Sequence, residues 1–335
     1  MYILGIESSC DETSAAVVSM KDGERVILSN IVASQIETHR LYGGVVPEIA
    51  SRAHIEAISR ITYEALEEAK LTLNDIGCIA VTSHPGLIGA LLVGVNFAKS
   101  LAYANNIPLV GVNHVKAHVA AAYLEDNSLE PPFIALVISG GHTSFYKVSS
   151  YTEFEEIGST RDDAAGEAFD KIGRVIGMPY PAGAAMDKLA YTGNANAIKL
   201  PSPAIVGDTL DFSFSGLKTA ALNYINSARQ KDEELSPEDI TASYTKVIVD
   251  AIIKKTDAAF DKTKTKRFVL AGGVAANSHI RAALEELCQK RGVEFCKPRM
   301  SLCSDNAAMV AAAGYFEYLR GNFENTSLNA SALDD

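Results

Sequence analysis

Two histidines four residues apart, His114 and His118 in NHVKAHVAAAYL, are where residue type and spacing first suggest chemistry. On a helix, positions i and i+4 share one face, so both imidazoles can reach one metal ion. Nitrogen ligands suit zinc, iron and other transition metals. HVKAH has no Glu after its first His, so it lacks the base of an HExxH zinc peptidase. A third ligand must come from elsewhere, and Asp305 in CSDNAAM is a candidate. The competing account makes the histidines surface or capping residues and Asp305 the N-cap of the helix that follows.

Two glycine turns follow buried strand patterns, SGGHT (139–143) and AGGVAAN (271–277). Adjacent glycines let backbone N–H groups approach phosphate oxygens without a Cβ clash. The second turn also opens a helix, whose N-terminus favours anions. Neither turn is a Walker A or GxGxxG sequence, and plain turn chemistry is the alternative for each taken alone. SSCDET (8–13) packs Asp11 and Glu12 among three hydroxyls; it is either an acid/base or metal-orienting group or a solvated hairpin tip. Cys10 has no His or Arg beside it to favour a thiolate. In DDAAGEAFDKIGRVIG (162–177), Asp170 follows Phe169 and is expected to take a ribose hydroxyl; the plain alternative for all these acids is solvation. Gly183 in YPAG permits close approach, and Asp187 lies four residues later.

The elements that must position these groups alternate between strand and helix. Strands are expected at 2–7, 14–19, 26–36, 78–83, 107–112, 133–139, 144–149 and from 267. Helices are expected from an N-cap at Ser51 to about Ala69, from 90 to 105, from a cap at Asn113 to about Leu124, and over 163–176, 183–192, 215–229, 237–260, 278–291 and 306–319. A strand–polar turn–strand unit occurs twice, at 2–19 and 133–149. The pattern predicts an α/β protein of two duplicated α/β domains with a ligand cleft between them. The expected division is 1–128, 129–323 and a flexible tail, 324–335, with the last helix crossing back to the first domain.

Composition bounds the function classes. The 335 residues are 47% hydrophobic and 21% charged, which excludes a disordered chain. No apolar run reaches the ~20 residues of a membrane helix, and MYILGIESSCDET lacks the basic start of a signal peptide, so a cytoplasmic protein is expected. The five cysteines show no CxxC spacing and are expected to be reduced. A net charge of −11 argues against a generic nucleic-acid binder. Half of the 30 Lys and Arg lie after residue 220, several of them in 254–267. That stretch is either a local RNA contact or a solvated helix end.

GIESSCDET, YGGVVPEIASRAH, NHVKAH, SGGHT, DDAAGEAFDK, FSFSGLKTA, AGGVAAN and CSDNAAM occur in this order. In series, over about residues 2–320, they resemble the bacterial form of the universal tRNA adenosine threonylcarbamoyltransferase family, once named O-sialoglycoprotein endopeptidase or glycoprotease. The resemblance implies a fold of the actin, sugar-kinase and Hsp70 type. It implies His114, His118 and Asp305 as ligands of one divalent metal, Fe2+ first and Zn2+ as the alternative. It implies that Val137, Ile138, Ser139, Gly140 and Gly141 form a substrate strand and phosphate turn, with Asp170, Gly183, Asp187 and Asn277 as further contacts. The ligand there would be an adenine nucleotide or threonylcarbamoyl-AMP, with or without Mg2+. Asp11 and Glu12 match acids of the first turn implied in catalysis. The implied reaction transfers threonylcarbamoyl from threonylcarbamoyl-AMP to the N6 amine of adenosine 37 in tRNAs that read codons starting with A. The implied partners are tRNA, an inactive paralogue of the same fold and a P-loop ATPase, with no membrane.

Three departures stand out: Ala182 and Ala184 in YPAGAAMD, and His84 before the Pro-Gly turn, where relatives often carry Gly, Pro and a small residue. Three other functions are weighed against the transferase. A metallopeptidase needs a positioned base, and Lys116 stands between the histidines. A small-molecule kinase of the same fold has no need of two helical histidines. A nucleotide-binding scaffold is expected to lack the two histidines and the terminal Asp.

Overall fold

The computed structural model describes residues 1–333 apart from 22, 204 and 206. The chain divides into two compact units, one of residues 1–131, 149–154 and 297–335, the other of residues 132–148 and 155–296.

The first unit contains β1 (Tyr2–Glu7), β2 (Glu12–Lys21), β3 (Glu24–Ser34), α1 (Ile36–Arg40), α2 (Pro47–Glu68), β4 (Ile76–His84), α3 (Ile88–Asn105), β5 (Leu109–Asn113) and α4 (His114–Ala120). The second contains β6 (Phe133–Ile138), β7 (Thr143–Val148), most of β8 (Phe154–Ser159), α5 (Ala165–Val175), α6 (Gly183–Leu189), α7 (Ser215–Gln230), α8 (Pro237–Thr263), β9 (Arg267–Ala271), α9 (Ser278–Arg291) and β10 (Glu294–Cys296). The last helix, α10 (Ala307–Arg320), belongs to the first unit.

Each unit is built on a five-stranded sheet, and the two sheets share one strand order. In the first it is β3-β2-β1-β4-β5; in the second, read in the same sense, it is β8-β7-β6-β9-β10. In each, the central strand pairs antiparallel with the next in sequence (β1 with β2, β6 with β7) and parallel with a later one (β1 with β4, β6 with β9). The repeated strand–turn–strand pattern therefore corresponds to a repeated sheet.

Alternation along β1 divides the first core into two layers. Leu4 and Ile6 pack with Ile58 and Leu66 of α2 and Val95 and Ala98 of α3, all buried. Gly5 faces the other side, against α10. A Cβ on Gly5 would lie 2.1 Å from the Ala307 carbonyl oxygen, so only glycine lets that helix backbone approach the strand so closely. Ala307, Ala308, Ala311 and Ala312 of α10 are also small and are fully buried, and the whole segment from 297 belongs to the first unit.

Three local expectations differ from the structure. α2 starts at Pro47, whose fixed φ suits the first helical turn; Ser51 lies inside the helix and donates to the Pro47 carbonyl at 2.8 Å. The regular part of α4 ends at Ala120 and tightens into a 3-10 turn to Leu124. The stretch expected as a flexible tail is tied down through 331. Glu324 N donates to Leu109 O at 2.8 Å, Ser331 N to Ser83 O at 2.9 Å, and Leu328 is buried in the first core. The first of these bonds pairs backbone of the edge strand β5 that would otherwise be exposed, and the second ties the segment to β4. Residues 334 and 335 lie outside the described ones.

Candidate metal centre and glycine turns

β5 runs directly into α4, and Asn113 caps the helix by accepting from Lys116 N at 2.9 Å. That cap puts His114 in the first turn and His118 one turn later on the same face. Their ring centroids are 4.8 Å apart at an interplanar angle of 76°. Asp305 meets them from just ahead of α10. The cap of α10 is Asn306, whose Oδ1 accepts from Met309 N at 3.1 Å, so helix capping does not occupy Asp305. Oδ1 of Asp305 lies 3.2 Å from Nε2 of His118 and 3.6 Å from Nε2 of His114. One ligand atom from each of the three residues lies within 4.8 Å of the others.

Two observations test whether these residues suit a metal ion. His118 is 1% exposed, yet neither ring nitrogen has a hydrogen-bond partner. Its approach to Asp305 lies outside hydrogen-bond geometry. A buried polar atom left unpaired costs about 1–3 kcal/mol, a cost that metal ligation removes. The second observation is a surplus of carboxylates. Burial, followed by the charges of Asp305 and Asp11, pushes Glu12 up to about 10. A cation among these groups reverses that balance. Both observations fit a His/His/Asp site for a divalent transition metal.

The polar turn 8–13 lies against this centre. Asp11 is buried; Glu12 opens β2 and accepts from Ser34 Oγ at 3.1 Å. Burial, together with Asp11 and Asp305, holds the Cys10 thiol well above its ordinary range, so it supplies no thiolate. Two buried groups that sequence reasoning passed over hold the turn. Glu7, fully buried at the end of β1, accepts from Ser9 N at 2.5 Å and from Thr82 Oγ1 at 2.7 Å, and faces His114 Nδ1 at 3.1 Å. His54 of α2 donates from Nε2 to the Cys10 carbonyl at 3.0 Å, which leaves Nδ1 to accept from Thr13 Oγ1 at 2.7 Å. The available signals were a lone charge closing an apolar strand and a histidine on the buried face of α2.

The second unit brings the two glycine turns side by side. β6 and β9 are neighbouring parallel strands, with Val137 opposite Ala271, and the turns leave their carboxyl ends. Ligands of open α/β sheets bind at such ends. Val137 and Ile138 are fully buried, so only their backbone is available to a ligand. Ser139 Oγ accepts from His142 N at 3.1 Å and braces the first turn. A Cβ on Gly140, Gly141, Gly183 or Gly273 would meet nothing within 4 Å, so open space lies beside each of these glycines. Gly272 differs: its φ is +93°, and a Cβ there would lie 2.4 Å from the Ile138 carbonyl oxygen.

The remaining candidates have structural partners here. Asn277 caps α9, accepting from Ile280 N at 3.0 Å, and Asp187 Oδ1 accepts from Ser278 N and Oγ, both at 3.0 Å. Asp170 Oδ1 accepts from Ala182 N at 2.7 Å. Asp163 pairs with Lys171 at 2.8 Å and with Lys218. In the basic stretch, Lys255 donates to Thr209 O at 2.5 Å, Lys262 to Asp208 O at 2.7 Å, and Arg267 to Glu294 at 2.8 Å. Three of its six cations are thus engaged within the second unit, which favours a folded helix end over an RNA contact.

No helix among the described residues is long and apolar enough to cross a membrane. Two solved structures share the fold at low identity. The Acidaminococcus fermentans (R)-2-hydroxyglutaryl-CoA dehydratase component A matches at a TM-score of 0.54 and 18% identity, over 94% of this chain and 97% of that one. T. kodakarensis HypF matches at 0.64 and 15%, over 99% of this chain and 49% of that one. Both place the two units in the actin, sugar-kinase and Hsp70 type of fold. Curated relatives named tRNA N6-adenosine threonylcarbamoyltransferase are far closer in sequence. The protein of Clostridium botulinum (strain Kyoto / Type A2) is 53% identical over 328 residues, 98% of this chain and 96% of that protein. The protein of Clostridium perfringens (strain 13 / Type A) is 52% identical over the same shares. The model of one family, TsaD: tRNA N6-adenosine threonylcarbamoyltransferase, matches residues 26–312. The chain belongs to this family of transferases.

Proposed function

We propose that the chain moves a threonylcarbamoyl group from threonylcarbamoyl-AMP to the N6 amine of adenosine 37 in tRNAs reading codons that start with A. The observation that carries this reading is the convergence of His114, His118 and Asp305, with both nitrogens of His118 buried and unpartnered. The donor is a mixed anhydride whose leaving group is AMP, so the amine can attack the carbamoyl carbon directly. The new bond is N–C, the bond broken is between that carbon and the phosphate oxygen, and the electron pair leaves with AMP. An adenine amine is a poor nucleophile, so the protein must orient it and stabilise charge on the departing phosphate.

His114, His118 and Asp305 would hold one divalent ion, Fe2+ or Zn2+, which when bound supplies a Lewis acid and a template. Backbone N–H groups of Gly140, Gly141 and Gly273 bind the phosphate, an assignment supported by the open space at each glycine. The backbone of Val137, Ile138 and Ser139, with Asp170, Gly183, Asp187 and Asn277, shapes the nucleotide side; for Asp187 and Asn277 this means setting the start of α9. The proton lost by the amine passes to Asp11 or Glu12, the two acids of the first turn.

The reading includes a cytoplasmic setting and two partners, an inactive paralogue of the fold and a P-loop ATPase, which share the tRNA contact. Such sharing accommodates an RNA substrate on a chain of net charge −11. The test is stoichiometry: with partners and unmodified tRNA, one AMP is released per modified adenosine. AMP release without nucleoside modification would make the chain a hydrolase and overturn the proposal.

A further inference from the structure

We infer that Glu7 is a positioning residue whose buried carboxylate fixes the ring and tautomer of His114, presenting Nε2 of that histidine as the preset member of the metal-ligand set. The inference rests on the metal reading proposed above and goes beyond it, because Glu7 is not itself a ligand there.

Glu7 is the one charge on β1 and is fully buried. An isolated buried carboxylate is costly unless donors surround it. Here three converge on its two oxygens. Ser9 N–H donates to Oε1 at 2.5 Å, Thr82 Oγ1 donates to Oε2 at 2.7 Å, and His114 Nδ1 lies 3.1 Å from Oε2. An ionised carboxylate only accepts, so Nδ1 of His114 must carry the hydrogen. Ser9 Oγ, 3.1 Å from the same nitrogen, adds a second contact. In the neutral ring Nε2 then keeps its lone pair, and that atom faces Asp305 Oδ1 at 3.6 Å.

His118 provides the contrast within the site. Its Nδ1 has no hydrogen-bond partner, so no such bond sets its tautomer. A carboxylate behind a ligating imidazole orients the ring and raises its basicity, and losing that carboxylate typically costs 10–100-fold in metal affinity. The chain therefore has one preset histidine and one that settles on binding. The preset one is tied to β1 and β4 at the centre of the first sheet, through Glu7 and Thr82.

The test is Zn2+ affinity of the full chain, read by competition with a chromogenic chelator. Glu7→Gln keeps the shape but puts an NH2 where one of the three donors must point. We expect a 10–100-fold weaker affinity with native melting and circular dichroism. In a His114→Ala background, Glu7→Gln is expected to change affinity less than twofold; in a His118→Ala background the loss persists. A Glu7→Gln chain that binds Zn2+ within twofold of wild type overturns the inference and leaves the metal reading intact. An equal loss in the His114→Ala background also overturns it, because Glu7 would then act through the fold. A wild-type chain that takes up no Zn2+ overturns both. If Glu7→Gln does not fold, Thr82→Val removes one donor and keeps the charge; roughly threefold to tenfold weaker binding is expected, and unchanged affinity overturns the inference.

Discussion

Nε2 of His118 lies 3.2 Å from Oδ1 of Asp305, although one residue sits in the helix leaving β5 and the other just ahead of the last helix of the chain. Both helices pack on the first sheet, so the pair is set by the fold rather than by local sequence. Removing His118 leaves two of the three proposed ligands. We expect His118→Ala to lower Zn2+ affinity at least roughly a hundredfold, more than loss of a residue behind the ligands. In wild type, Zn2+ at 100 times its Kd adds about 2.7 kcal/mol of stability, a rise of roughly 5–10 °C in Tm. His118→Ala should show no such rise, and an undiminished one would contradict the site.

The glycines of the second unit separate structural from ligand roles. Gly272 combines a φ of +93° with the Ile138 carbonyl only 2.4 Å from where a Cβ would stand. Gly272→Ala is therefore expected to cost about 1–3 kcal/mol of stability. Gly140→Ala places its methyl in open space and should leave Tm within about 1 °C, while weakening AMP binding by about tenfold. Calorimetry and AMP titration on the two variants check the contrast. Equal effects of both on Tm would contradict it.

Asp162 gives a pH-dependent prediction. Burial raises its pKa, but the hydroxyls of Ser213 and Ser215 and the N–H groups of Phe214 and Ser215 more than offset this and hold it below the ordinary 3.8. These bonds secure the first turn of α7. A carboxylate with a depressed folded pKa contributes stability above its unfolded pKa and loses it as pH falls through the folded value. Asp162→Asn should cost about 1 kcal/mol at pH 7, a drop of roughly 2–4 °C in Tm. The gap from wild type should narrow as pH falls below 3.8. A gap unchanged by pH would contradict the charged cap.

The legible parts of this molecule were those with local causes. Asn113 caps its helix where a polar residue meets an apolar run. The two strand–turn–strand units were visible because their buried strands read as apolar runs. Asp305 was visible only as a choice between ligand and cap, and the structure gives the cap to Asn306. Glu7 was hidden because its role depends on Thr82 and His114, which only the sheet brings to it. The segment 324–331 looked loose because its anchoring is to the backbone of β4 and β5, and backbone partners leave no trace in residue type. Ser51 misled for the opposite reason: its capping chemistry was real, but Pro47 starts the helix one turn earlier.

The central claim is threonylcarbamoyl transfer that depends on the His/His/Asp centre. Its most direct test is nucleoside mass spectrometry of unmodified tRNA incubated with threonylcarbamoyl-AMP, both partners and either the wild-type chain or His114→Ala. The account predicts N6-threonylcarbamoyladenosine from the wild type and none from the variant. Equal product from both would contradict the role of the metal centre, and no product from the wild type, beside an active control transferase, would contradict the transfer itself.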